Sequence, residues 1–234
     1  MTQRSAQLAL RFPLSVRNRF DTFVAGTNAE LIRRLEALSA QARFGGCLLY
    51  GPPGAGRTHL LQAVCHAHGE GGARGGGIYL PLTDPAVTPE ALDGLEGLDL
   101  VALDDVDRWL GQADAERALL ALYQGLQSRA GRLLLSAAAP AVRLPFAFAD
   151  LGSRLRALPG YEVRPLPDED KAEVLKRLAG ERGLELTDPV LEFWLARSPR
   201  NLTSLVDQLD RLDVAAMAEQ RRLTVPLVKR VLGL

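Results

Sequence analysis

The feature that most constrains this chain is Gly51-Pro-Pro-Gly-Ala-Gly56-Arg57-Thr58, set between an apolar run and a helical pattern. Cys47 to Tyr50 before it reads as a buried strand, and Arg57 to about His68 after it reads as a helix. A glycine loop that joins a strand to a helix start gathers backbone N–H groups and the positive end of the helix round one point. Gly51, Gly54 and Gly56 allow the backbone to curl there. The spacing is that of G-x-x-x-x-G-K-[ST], a phosphate cradle, with Arg57 where lysine is expected and Thr58 offering a hydroxyl to Mg²⁺. The planar fork of an arginine is larger than an ammonium and does not reach a terminal phosphate in the same way. A glycine turn without a ligand would not need strand, loop and helix in this order.

A second apolar strand pattern, Leu100-Val-Ala-Leu-Asp104-Asp105, ends in two carboxylates. Strand-end aspartates alone are common turn formers. Paired with the loop, Asp104 is expected to hold Mg²⁺ through water and Asp105 to orient an attacking water. Further strands are expected at Ile78 to Leu80, Arg132 to Ser136 and Tyr161 to Val163. Helices are expected from Asn28 to near Gly45, from Asp114 to Arg129 and from Asp150 to Leu158. The five glycines between Glu70 and Gly77 predict a flexible connector. Strands alternating with helices predict an α/β domain whose five-stranded parallel sheet carries helices on both faces. From Pro165 the strands stop. Helix starts at Asp168, Thr187, about Arg200 and Thr224 predict a small all-helical domain. The expected division is a mobile tail over 1–18, the α/β domain over 19–164 and the helical domain over 165–234.

The chain has 234 residues, 47% of them hydrophobic, which is enough for a sizeable core. Lys plus Arg and Asp plus Glu both number 28, so counterion release from DNA or an anionic membrane is not expected to dominate binding. Cys47 and Cys65 sit among apolar residues and read as buried thiols of a reducing compartment. His59, His66 and His68 crowd one stretch without the further ligands a metal site needs. There is no apolar run of membrane-spanning length and no signal-peptide core, which predicts a soluble cytoplasmic protein.

Together the motifs resemble the nucleotide-binding part of the bacterial replication initiator DnaA, an AAA+ family, from about Phe20 to the C-terminus. Phe20-Asp-Thr-Phe23-Val24-Ala-Gly26 is similar to the family's segment beside the adenine, which implies that Phe23 and Val24 neighbour the base. Gly56-Arg-Thr-His59-Leu-Leu-Gln-Ala63 looks like its P-loop helix and adds His59 to the nucleotide neighbourhood. Leu151-Gly-Ser-Arg154-Leu155 is similar to the stretch with the arginine finger, so Arg154 is implied to act in trans on a partner's nucleotide. Ser198-Pro-Arg200-Asn-Leu202 looks like the helix start whose arginine touches the nucleotide from the small domain, which implies that role for Arg200.

No DNA-reading helix-turn-helix pattern follows this unit, so the nearer resemblance is to the Hda branch, DnaA-related regulatory-inactivation proteins. Their N-terminal sliding-clamp motif, Q-L-x-L-x-[LF], is matched by Gln7, Leu8, Leu10 and Phe12. One departure stands out. Leu134-Leu-Ser136-Ala-Ala-Ala139-Pro140 has alanines where the family carries a polar residue that senses the terminal phosphate. With Arg57, this implies weak or no ATP hydrolysis by the chain itself and a resident ADP, or another nucleoside diphosphate, with Mg²⁺. The function implied is negative regulation of replication initiation. With the DNA-loaded β sliding clamp of DNA polymerase III, the protein would stimulate hydrolysis of DnaA-bound ATP, meeting DNA only through the clamp, with its oligomeric state, a homo-oligomer included, left open by the sequence. The alternatives are an AAA+ ATPase acting as a helicase-loader-like replication factor, and an adaptor whose nucleotide site is vestigial.

Overall fold

A computed structural model describes residues 12–39, 44–71, 76–199, 201–219 and 222–234. Among the described residues, five strands and eight α-helices follow one another in the order the hydrophobic patterns predict. β1 (Gly45–Tyr50) leads into α2 (Arg57–Glu70), and α1 (Ala29–Ser39) precedes both. Then come β2 (Gly77–Pro81), β3 (Leu100–Asp104), α3 (Ala113–Ser128), β4 (Arg132–Ala137), α4 (Ala149–Ala157) and β5 (Gly160–Glu162). Four helices complete the chain: α5 (Asp168–Glu181), α6 (Asp188–Leu195), α7 (Leu202–Glu219) and α8 (Val225–Leu232). Asn28, the expected start of the first helix, is instead the last residue of a 3₁₀ turn, Gly26–Asn28, and α1 follows from Ala29.

Contacts divide the chain into two units, one running up to Pro52 and from Arg57 to Val163, the other comprising Pro53–Gly56 and Arg164–Leu234. In the first, all strand pairs are parallel and the strand order is β2-β3-β4-β1-β5. The loop strand β1 therefore lies between β4 and β5, and β4 separates it from β3, which ends at Asp104 just before Asp105. Residues of β1, β3 and β4 are buried almost throughout, as parallel strands covered on both faces must be. Leu48, Leu80, Leu103, Leu126, Leu133 and Leu135 anchor its core. Cys47 and Cys65 are both buried, and burial pushes each thiol up to about 12.

The second unit closes round Trp194, which is fully buried and donates its indole N–H to Gln208 Oε1 at 2.6 Å. Leu175, Leu205, Leu209, Leu212 and Val228 pack with it. Thr224 caps α8 by accepting from the Leu227 amide at 3.4 Å, and Gly233 ends that helix with φ at 72°. Among the described residues no helix is long and apolar enough to cross a membrane.

The last residues of the expected tail make hydrogen bonds to α2. Ser15 N–H and Asn18 Nδ2 both donate to Gln62 Oε1, at 2.9 and 3.0 Å, and His66 Nε2 lies 2.9 Å from the Ser15 carbonyl. Residues 15–18 are thus bonded onto α2. The reason is polar complementarity with one face of a helix, which leaves no hydrophobic period for a sequence reading to detect.

Candidate functional site

The phosphate loop leaves β1 at Gly51, whose N–H donates to the Ala137 carbonyl of β4 at 3.4 Å. Gly54 and Gly56 have φ of +78° and +101°, angles that side chains rarely adopt, so the loop's shape requires glycine at both. Arg57 and Thr58 then open α2.

Thr58 Oγ1 donates to Asp104 Oδ2 at 2.6 Å, and Tyr79 OH donates to the same oxygen at 2.8 Å. Ser136 Oγ donates to the other oxygen, Oδ1, and accepts the Asp105 N–H at 2.8 Å. Asp104 is therefore a buried carboxylate held by three hydroxyls from α2, β2 and β4. Burial and the Asp104 charge together push the Tyr79 phenol far above its usual range, so it remains a donor. A hydroxyl and a carboxylate side by side, next to a glycine loop at a helix start, are the donors a hydrated Mg²⁺ and its phosphates require.

Asp105 has φ at 56°, a left-handed backbone for a residue with a side chain. Its carboxylate is not left open toward the loop. Oδ1 lies 3.1 Å from Nη2 of Arg57, whose side chain is 11% exposed against 30% for Asp105. The other guanidinium arm, Nη1, is buried and finds no hydrogen-bond partner among the described residues. Burial and the neighbouring Asp104 raise the Asp105 carboxyl above its usual range, with Arg57 acting in the opposite sense. The residue expected to orient water and the residue expected to meet phosphate thus hold each other. The loop, the unpartnered guanidinium arm and the Thr58–Asp104 pair fit a phosphate-bearing ligand with its ion.

The remaining expected residues distribute as follows. His59 Nε2 sits 2.8 Å from the Arg19 carbonyl, its ring meets Phe23 edge-on at 5.1 Å, and burial lowers its basicity. Val24, next to Phe23, is partly buried. His66 and His68 also turn to backbone carbonyls, of Ser15 and Gly76. Arg200 lies outside the described residues, as do Gln7, Leu8 and Leu10. Phe12 is described, and it packs partly buried against the core of the α/β unit instead of standing free as a peptide anchor.

Arg154 lies in the last turn of α4, with its Nε 3.1 and 3.2 Å from the two Asp150 oxygens, one helical turn back. Its guanidinium sits over the Tyr123 ring at 5.5 Å, and Nη1 reaches Gln127 at 3.5 Å.

Three residues of this architecture escaped the sequence reading: Ser136, Tyr79 and Glu116. Ser136 was visible as the one hydroxyl in an apolar strand, just before the alanines that drew attention. Tyr79 carried no such signal. Glu116 reads as an ordinary acid in the first turn of α3. It is in fact fully buried and accepts the amides of Gly111, Ala147 and Phe148 at 2.7, 2.8 and 2.7 Å. Phe148 is the cap residue of α4, so Glu116 fixes where the helix of Arg154 begins.

Residues 168–232 match the family described as Hda, lid domain, and residues 14–73 match the bacterial DnaA ATPase domain. Domain III of the Thermotoga maritima replication initiation protein DnaA is similar in structure, with a TM-score of 0.78 at 19% identity over 95% of this chain and 98% of that one. The AMPPCP-bound DnaA of Aquifex aeolicus gives 0.69 at 21%, covering 88% of this chain and 68% of that one. The Thermotoga maritima RuvB Holliday junction branch migration motor gives 0.61 at 18%, covering 94% and 72%. The fold is α/β of the AAA+ type with a helical lid, as the sequence predicts.

Proposed function

We propose that this chain, similar to DnaA in its ATPase region and to Hda in its lid, restrains replication initiation by stimulating hydrolysis of DnaA-bound ATP. The observation that carries this reading is the 3.1 Å pair between Arg57 and Asp105. The two charged groups best placed to act on a terminal phosphate in this chain's own loop neutralise each other. A protein so built turns over ATP slowly and serves better as a partner than as a motor.

The resident ligand in this reading is ADP with Mg²⁺. The amides of Gly54 and Gly56, with Arg57 and Thr58, would hold the phosphates on a loop that Gly51 ties to β4, while Thr58 and Asp104 would hold the ion. Phe23, Val24 and His59 would neighbour the base, and a role for Arg200 rests on the resemblance alone. When bound, the nucleotide supplies a fixed centre round which the protein takes its acting shape.

Arg154 is the group that acts. Its pair with Asp150 lies within one helix and is half open to solvent, so it can exchange that carboxylate for phosphoryl oxygens of DnaA-bound ATP. A positive charge delivered there stabilises the transferring group, as trans arginine fingers do. Gln7, Leu8, Leu10 and Phe12 supply the contact with the DNA-loaded β sliding clamp, which requires Phe12 to leave its seat on the core. The deciding experiment measures hydrolysis of DnaA-bound ATP with and without this protein and DNA-loaded clamp. Stimulation that depends on all three components is the expected result. Rapid ATP turnover by this protein alone would favour the helicase-loader alternative.

A further inference from the structure

Arg57 stands at the position whose side chain meets the β- and γ-phosphates in loops of this kind. Its fork is half spent: Nη2 is bound to Asp105 at 3.1 Å, while Nη1 is buried and unpartnered among the described residues. A buried guanidinium donor left without an acceptor is unfavourable, so the open arm favours an arriving oxygen. The arm on Asp105 does not.

Asp105 does not depend on Arg57 for its place. Its backbone is held at φ 56° and its N–H donates to Ser136 Oγ at 2.8 Å, while Ser136 in turn bonds Asp104. The carboxylate is therefore a standing rival for the guanidinium. It also adds negative charge on that side of the fork.

We propose that Asp105 is the specificity-determining residue of the phosphate loop, favouring a nucleoside diphosphate over a triphosphate by occupying one arm of Arg57. A diphosphate needs only the arm that is free. A triphosphate must displace Asp105 from the other arm or lie beside its charge, and either course is unfavourable. This inference rests on reading the loop as a nucleotide site. It does not depend on any action upon DnaA.

The test is calorimetric titration of the whole chain with ADP and with ATP, each with Mg²⁺, comparing the native protein with Asp105→Asn. Asparagine tolerates a left-handed backbone, keeps the N–H for Ser136 and removes the charge. The expected result is ATP affinity raised about tenfold, the worth of one charge-assisted hydrogen bond, with ADP affinity changed by less than about threefold. Adding Arg57→Ala to Asp105→Asn should erase the gain for ATP. A gain that survives the double substitution would overturn the role given to Arg57. An unchanged ratio of the two affinities with ADP still bound would sink this inference and leave the nucleotide site standing. Failure of the native protein to bind either nucleotide would remove both. Should Asp105→Asn fold poorly by thermal melting, Asp105→Gly, equally at ease at this backbone angle, makes the same comparison.

Discussion

Two arginine–aspartate pairs in the α/β unit have the same separation, 3.1 Å, and quite different physical settings. Arg57 and Asp105 come from different segments, the start of α2 and the residue just after β3, and the arginine is nearly buried. Arg154 and Asp150 are one turn apart on a single helix, with side chains 29% and 54% exposed. A pair within a helix surface contributes only a few tenths of a kcal/mol, because water competes for both partners. A buried pair between elements cannot be opened without leaving a charge poorly solvated. The same chemistry therefore makes a latch in one place and a loosely held, deliverable charge in the other.

The largest expected effect falls on the deliverable arginine. Arg154→Ala should reduce stimulation of DnaA-bound ATP hydrolysis by on the order of 10³ or more, as loss of a trans finger does. ADP affinity and melting temperature of this protein should stay nearly constant. Full stimulation by the variant would mean that Arg154 is a surface residue like its neighbours, and the contrast with Arg57 would collapse.

The contrast also needs α4 to sit where Glu116 places it. Glu116→Ala strips three amides of one buried acceptor, at Gly111, Ala147 and Phe148. A loss of about 3 kcal/mol in urea unfolding is expected, since orphaned buried donors carry most of their desolvation penalty. A loss under about 1 kcal/mol would show that water replaces the carboxylate and that α4 is less firmly anchored than the geometry suggests.

The smallest effect tests the loosely held half of the comparison. Asp150→Ala should change stability by less than about 0.5 kcal/mol in the same unfolding experiment. Stimulation of DnaA should be retained or raised, because Arg154 loses a competitor. A destabilisation of several kcal/mol, or loss of stimulation, would show that Asp150 positions the arginine for its task and is not merely a resting place.

Much of this molecule was legible before any coordinates. The glycine loop between an apolar strand and a helix determined a phosphate-cradle shape, and its positive-φ glycines follow from the spacing alone. Strand and helix order came from hydrophobic period, and the alternation pointed to a parallel sheet, because parallel neighbours need long crossovers, most of them helical here and one, between β2 and β3, made of 3₁₀ turns. The likeness to DnaA rested on short motifs that local chemistry keeps together. What the chain could not disclose is everything set by contacts between distant segments. The order β2-β3-β4-β1-β5 is one such case, and it alone brings Ser136, Tyr79 and Thr58 round Asp104. The burial of Glu116 is another, since an acid in the first turn of a helix looks the same whether it faces water or three amides. The pairing of Arg57 with Asp105 is the third. In sequence they are two independent charges awaiting a ligand, and only the tertiary fold makes each the other's partner, because burial leaves a charge no better neighbour than its opposite.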